Sequence, residues 1–331
     1  MTQSYRALWV EEQADGSFSQ QIKQLDMSNL PDDEVLIKVH YSSLNYKDAM
    51  SAAGNKGVTR QFPHTPGIDA AGTIVNDKTN QFAKDSKVLV FGYDLGMNTP
   101  GGLAQYICVP SSWVVPCPNN LSLSDAMIYG TGGLTAALCV DKLLLMGAKP
   151  DDGSVAVTGA TGGVGSVAIA LLHKLGFDVV AFSGKTDNSY LQQLGANEVV
   201  HRDRLNDIGD KPMGRGLYAH GIDTLGGDYM TNLIKQIKPG GGVAACGLAA
   251  SATFSLNMFP FITRGVSLLG VDSVNIALSR KADMWRKISE QYYLPVLATL
   301  SQQITLDQVP DILPKFFKGE ITGRYLVNIG E

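Results

Sequence analysis

Cysteine is scarce and scattered. Cys108, Cys117, Cys139 and Cys246 form no CxxC pair and no disulfide framework, so a reduced, cytoplasmic chain is the expectation. Charge of one sign is lacking too: 27 Lys and Arg stand against 31 Asp and Glu, a formal −4, and charged residues are only 18% of the chain. No broad basic face is therefore available for a nucleic acid or an anionic membrane, and neither partner is expected; an anionic ligand has to be met by a local cluster. Apolar runs such as Leu143-Leu144-Leu145-Met146 are core-sized, and no window is expected to approach the ~20 residues of a membrane span. The start, Met1-Thr2-Gln3-Ser4-Tyr5-Arg6, leads into Glu11 and Glu12 without the apolar core of a signal peptide or the pattern of a transit helix.

Glycine is what the chain has in excess, 36 of 331 residues or roughly 11% against a usual ~7%, as suits an α/β enzyme with many tight turns. At ~150 residues per domain the length predicts two domains. From Arg6 to about Pro118 short runs such as Glu34-Val35-Leu36-Ile37-Lys38-Val39 and Lys87-Val88-Leu89-Val90-Phe91-Gly92 read as strands. Helix signals begin at Leu123, with Ser122 or Ser124 as its cap, and from there strands alternate with helices. Strand candidates at 153–158, 178–182, 198–200, 221–224, 242–247 and 266–271 predict a parallel, doubly wound sheet. A charged helix near 278–291 and a single terminal strand, 324–329, are expected to return to the first domain. The boundaries drawn are 1–122 with 272–331, and 123–271.

The run Val155-Ala156-Val157-Thr158 leads straight into Gly159, Gly162 and Gly165, then into a helix with apolar residues at Val164, Val167, Ala168, Leu171, Leu172 and Leu175. Small residues let backbone amides approach a pyrophosphate, and a helix N-terminus offers unpaired N–H donors and partial positive charge. The spacing is GxxGxxG where the usual fingerprint is GxGxxG; its strand–turn–helix–strand setting makes it a dinucleotide site. An NAD site usually ends the second strand in Asp or Glu. Here the tip is Phe182-Ser183-Gly184-Lys185-Thr186, where a hydroxyl and an ammonium suit the 2′-phosphate of NADPH. Arg202 is either a second cation for that phosphate or a solvated loop arginine. The five histidines, His40, His64, His173, His201 and His220, form no metal-spaced pair, and no serine lies in GxSxG. The run Val266–Val271, as the last strand of the sheet, would leave an apolar edge for a twofold mate, so a homodimer is expected.

The segments Ser43-Leu44-Asn45-Tyr46-Lys47-Asp48, Pro66-Gly67-Ile68-Asp69-Ala70-Ala71-Gly72-Thr73, Gly101-Gly102-Leu103-Ala104, the glycine loop, Cys246-Gly247-Leu248 and Gly270-Val271-Asp272-Ser273-Val274 occur in one order along the chain. Together they resemble the zinc-free, quinone oxidoreductase-like branch of the medium-chain dehydrogenase/reductase superfamily, and within it the bacterial acrylyl-CoA reductase subgroup. The resemblance spans the whole chain. It implies a GroES-like, β-rich catalytic domain joined to a Rossmann domain. Where zinc relatives carry Cys, His and Cys ligands, this chain has Ser43, Ile68 with Asp69, and Thr131, so no metal is expected.

The implied reaction is hydride transfer from NADPH to the activated C=C of an enoyl thioester, acryloyl-CoA to propanoyl-CoA. A quinone or enone reductase is the alternative, and a non-catalytic NADPH-binding protein a third reading. By the same resemblance Asn45 and Tyr46 face the nicotinamide as catalytic residues, Tyr46 as hydrogen-bond donor or proton relay. Thr161, Gly162, Gly163 and Val164 would touch the pyrophosphate; Ser183, Gly184 and Lys185 the 2′-phosphate; Leu248, Ile262 and Ser273 the nicotinamide half. Arg324 of Thr322-Gly323-Arg324 would reach the cofactor or simply open the last strand. A coenzyme A handle would call on Lys47, Lys56, Arg60 or Arg264.

Overall fold

In the computed structural model, residues 4–330 are described; Met1, Thr2 and Gln3 of the N-terminal segment, and Glu331, lie outside them. The chain divides into two units, Met1–Thr131 with Val274–Gln291 and Ser301–Glu331, and Gly132–Ser273 with Tyr292–Leu300.

The first unit is built on alternation. In the strand Val35–Ser43 the side chains of Val35, Ile37 and Val39 are buried while Lys38 is exposed, the period-two pattern of a sheet with one face on the core. This strand pairs antiparallel with Asp69–Asp77, Tyr106–Val109 and Tyr325–Asn328. Lys87–Phe91 and Val114–Pro116 extend the sheet on one side, and Gln302–Thr305 closes the other. A separate hairpin pairs Ser4–Glu12 with Phe18–Asp26. The C-terminal tail thus contributes two strands where one was expected. Gln302-Gln303-Ile304-Thr305 buries only Ile304, because an edge strand has a single apolar contact to make, and so little of its signal is written in hydrophobicity.

In the second unit six parallel strands lie in the order Glu198–His201, Val179–Ser183, Val155–Val157, His220–Asp223, Gly242–Ala245, Ser267–Gly270. The strands Val155–Val157 and Val179–Ser183 are buried along their whole length and mostly apolar, as strands covered on both faces are. The helix Gly163–Lys174 buries Val167, Ala168, Leu171 and Leu172, and Gly176 follows it at φ 84° in the left-handed region that a helix stop requires. Ser122 caps the long helix Leu123–Leu145, its hydroxyl accepting from Asp125 N–H at 3.0 Å. That helix corrects one expectation. It is long and apolar enough to cross a membrane by composition, but 78% of its apolar window is buried within the protein, and Gly130 at φ 49°, ψ −157° breaks it.

Candidate active site and nucleotide cradle

The strand Val35–Ser43 delivers Ser43 into the interior, and Asn45, in extended conformation, starts the helix Tyr46–Ala52. Around this turn a buried polar bracket assembles. Asp69 accepts from Ser43 Oγ at 2.5 Å, Asn45 Nδ2 at 2.8 Å, Thr131 N at 2.9 Å and Thr131 Oγ1 at 2.5 Å. Arg324, 3% exposed, donates through Nη2 to Ser43 Oγ at 2.9 Å and through Nε to Ile128 O at 2.8 Å, with Nη1 3.4 Å from Asn45 Oδ1. Gly130 is required here, since a Cβ would stand 2.5 Å from Ser43 Oγ, 2.6 Å from Arg324 Nη2 and 2.6 Å from Asp69 Oδ2. Asp48 fixes the helix to the neighbouring strand entry, accepting from Asn45 N at 2.7 Å and Ile68 N at 2.9 Å. Burial, and then the charge of Asp69, push the Asp48 carboxyl up to about 7.

The bracket therefore turns the Asn45 carboxamide inward and leaves Tyr46 facing out. The Tyr46 side chain is 43% exposed, its hydroxyl has no hydrogen-bond partner among the described residues, and its ring meets Phe317 edge-on at 5.6 Å. Zinc does not fit this donor set. Hydroxyls, an amide and one carboxylate already filled by four donors stand where cysteine and histidine would be needed, and a guanidinium lies 2.9 Å from Ser43 Oγ.

In the second unit the strand Val155–Val157 runs into a turn held from below by Asp223. Its carboxylate accepts from Thr158 Oγ1 at 2.6 Å and from Gly226 N at 2.7 Å, and burial pushes its carboxyl up. Thr161, Gly162, Gly163 and Val164 are half-buried at the opening of the helix Gly163–Lys174, whose first N–H groups have no acceptor within the helix. A Cβ on Gly165 would sit 2.4 Å from Gly159 O, so backbone meets backbone there. At the end of the next strand Ser183 is buried and its hydroxyl accepts from Lys185 N at 3.0 Å; Gly184 is exposed. Asp187 is engaged locally, its carboxylate accepting from Ser189 N at 2.9 Å at the start of the following helix. Partial burial lowers the Lys185 ammonium. Arg202 lies across Gly184, where a Cβ would meet its Nε at 3.0 Å. These residues fit a pyrophosphate and a 2′-phosphate: small backbone, helix N-terminus, two cations and no carboxylate at the strand tip.

The remaining expected residues are distributed unevenly. Leu248 and Ile262 are 63% and 70% exposed, whereas Ser273 is buried and accepts from Thr135 Oγ1 at 2.8 Å. Arg324, one reading of which had it reaching the cofactor, has its guanidinium committed inside the first unit. Two of the four cations considered for a coenzyme A handle are occupied: Lys56 pairs with Glu12 at 2.6 Å, and Arg264 donates to the carbonyls of Gly214, Lys235 and Ile237. Sequence reasoning missed Asp223 and Thr158 as supports of the glycine turn. Their pairing becomes legible only once the strands that carry them are known to be neighbours.

Two family models match the chain, the alcohol dehydrogenase GroES-like domain over residues 31–119 and the zinc-binding dehydrogenase over 163–290. Acrylyl-CoA reductase AcuI of Ruegeria pomeroyi is 37% identical over 98% of this chain and 99% of its own. YhfP of Bacillus subtilis, named as a candidate quinone oxidoreductase, is 40% identical over 99% of this chain and 100% of its own; its solved structure, with NAD bound, superposes with a TM-score of 0.95. The yhdH oxidoreductase of Salmonella enterica, solved in complex with NADP, is 42% identical with a TM-score of 0.94, covering 98% of this chain and 99% of that one. With a GroES-like domain, a Rossmann sheet and relatives of this identity over its full length, the chain belongs to the medium-chain dehydrogenase/reductase superfamily, in its quinone oxidoreductase-like, acrylyl-CoA reductase subgroup.

Proposed function

We propose that the chain is an NADPH-dependent reductase of the activated C=C of α,β-unsaturated acyl thioesters, with acryloyl-CoA reduced to propanoyl-CoA. The observation that carries this reading is the Tyr46 phenol, outward-facing and without an internal partner, on a turn held by the buried Asp69 bracket. Bound NADPH supplies the hydride to the substrate β-carbon. Negative charge then develops on the thioester carbonyl oxygen, and the Tyr46 hydroxyl donates to it; protonation at the α-carbon completes the reduction. Asn45, its amide held by Asp69, positions Tyr46 rather than touching substrate. Ser183, Lys185 and Arg202 hold the 2′-phosphate, and the glycine turn with the start of the helix Gly163–Lys174 holds the pyrophosphate. Leu248, Ile262 and Ser273 are assigned to the nicotinamide half on the family resemblance.

The second reading, a quinone or enone reductase, is favoured by the internal commitments of Lys56 and Arg264, which leave Lys47 and Arg60 for a phosphate-rich handle. Rates of reduced-nicotinamide loss with acryloyl-CoA, crotonoyl-CoA, simple enones and quinones separate the two. The thioester reading expects acryloyl-CoA to give the highest kcat/KM, and a quinone ahead of it would overturn that reading.

We also infer a cytoplasmic homodimer. Four free cysteines suit a reducing compartment. The strand Ser267–Gly270 is an open sheet edge, and Phe254, Met258, Phe259, Ile262 and Leu268 expose apolar side chains on and just before it. Light scattering at micromolar concentration should return twice the chain mass, and a monomer mass would count against the pairing.

A further inference from the structure

Arg202 is an exposed arginine directly followed by a carboxylate, Asp203, yet among the described residues it makes no ion pair. Its guanidinium is close to two groups. One is the Gly184 backbone, where a Cβ would stand 3.1 Å from Arg202 Cζ. The other is the ring of Tyr229, with Cζ 5.7 Å from the centroid. Tyr229 sits in the first turn of the helix Gly227–Lys235, half-buried and packed against the core that includes Phe182, Leu205 and Met230. Its hydroxyl donates to Asp203 Oδ1 at 3.2 Å, and His201 Nδ1 lies 3.5 Å from the other oxygen. The carboxylate best placed to capture the guanidinium is thus engaged elsewhere.

A free arginine at a surface samples many rotamers, and holding one toward a ligand costs conformational entropy at the moment of binding. A ring anchored in the core removes much of that cost in advance, since a guanidinium stacks on an aromatic face. We propose that Tyr229 is a positioning residue for selection of 2′-phosphorylated adenine nucleotides: its ring holds Arg202 over Gly184, and its hydroxyl keeps Asp203 from drawing the guanidinium away. This rests on the reading of the Ser183–Lys185 tip as a 2′-phosphate site and extends it to a residue remote in sequence.

Calorimetric titration of the full-length enzyme with adenosine 2′,5′-bisphosphate and with 5′-AMP tests it, because the two ligands differ only in that phosphate. Arg202→Ala should weaken the bisphosphate about tenfold or more and leave AMP unchanged, as loss of a charge-assisted contact predicts. Tyr229→Leu should weaken the bisphosphate about fivefold, again sparing AMP, and retained AMP affinity shows that the variant is folded. In Arg202→Ala/Tyr229→Leu the loss should equal that of Arg202→Ala alone, since both changes act through one guanidinium. Tyr229→Phe keeps the ring but releases Asp203, so it should weaken the bisphosphate about two- to threefold, less than Tyr229→Leu, and parent affinity in it would overturn the role given to the hydroxyl.

Wild-type bisphosphate affinity in Tyr229→Leu, equal loss of both ligands, or additive losses in the double variant would each overturn the proposal. A Phe variant as weak as the Leu variant would overturn the role given to the ring. Unchanged binding in Arg202→Ala would bring down the phosphate-site reading itself, and this inference with it.

Discussion

The two polar centres of this protein are solvated in opposite ways. Around Asp69 the groups are buried or, at Asn45 and Thr131, half-buried, each facing another, and Tyr46 points out. Around Ser183 the cations Lys185 and Arg202 lie at or near the surface, one partly buried and one braced by a ring. A buried network is rigid because every member depends on the others, so losing one strands the rest. A surface cluster is more forgiving: members act nearly independently, water replaces what is lost, and salt weakens the whole.

The sharpest way to break this contrast is Asp69→Ala. It would leave donors from Ser43, Asn45 and Thr131 unsatisfied beside the buried Arg324 guanidinium, and should cost about 3–5 kcal/mol in urea unfolding. A loss below about 1 kcal/mol would show that the bracket is not a network. Tyr46→Phe should do the reverse, leaving stability within about 0.5 kcal/mol, because the hydroxyl has no partner among the described residues. Its kcat and kcat/KM should fall together by about 10² to 10³, or about tenfold where water fills in. Full turnover in the Phe variant would assign Tyr46 to packing.

At the surface cluster the effect should be smaller and tied to one ligand. Lys185→Ala should weaken NADPH by about 10- to 150-fold and leave NADH nearly unchanged. Raising the salt concentration should erode the wild-type preference in parallel. Equal losses for both cofactors would contradict the assignment.

A further contrast is a pH dependence from Asp48. Its carboxyl titrates at about 7 when folded, whereas the unfolded chain titrates near ~3.9, so between these values the folded state binds the extra proton. Stability from this group is therefore present at the acid end and declines as pH rises toward 7. Asp48→Asn should flatten that part of the Tm-against-pH curve, and an unchanged slope would move the titration to another group.

Legibility in the sequence followed the same divide. The glycine turn and the second strand are local in sequence, so strand period and turn chemistry locate them, and the repeated strand–helix units imply a parallel sheet. The bracket is not local. Ser43, Asp69, Thr131 and Arg324 were each singled out as separate family positions, but nothing in their spacing says that Arg324 donates to Ser43 rather than to a cofactor. Tyr229 left no trace at all. An aromatic residue early in an amphipathic helix reads as core, and the sequence does not show that Arg202 lies against its face.

The link between Arg324 and Ser43 joins residues 281 positions apart, while the parallel sheet is drawn from a single uninterrupted stretch, Gly132–Ser273. That stretch carries all six parallel strands, so the pairings of its sheet are made within one continuous segment. The first unit differs, because its central strand Val35–Ser43 pairs with Tyr325–Asn328 and its buried guanidinium is that of Arg324. Closing the GroES-like sheet around Ser43 and Asn45 therefore takes the longest loop closures in this protein's sheets, and contacts of that range are the slow ones to form.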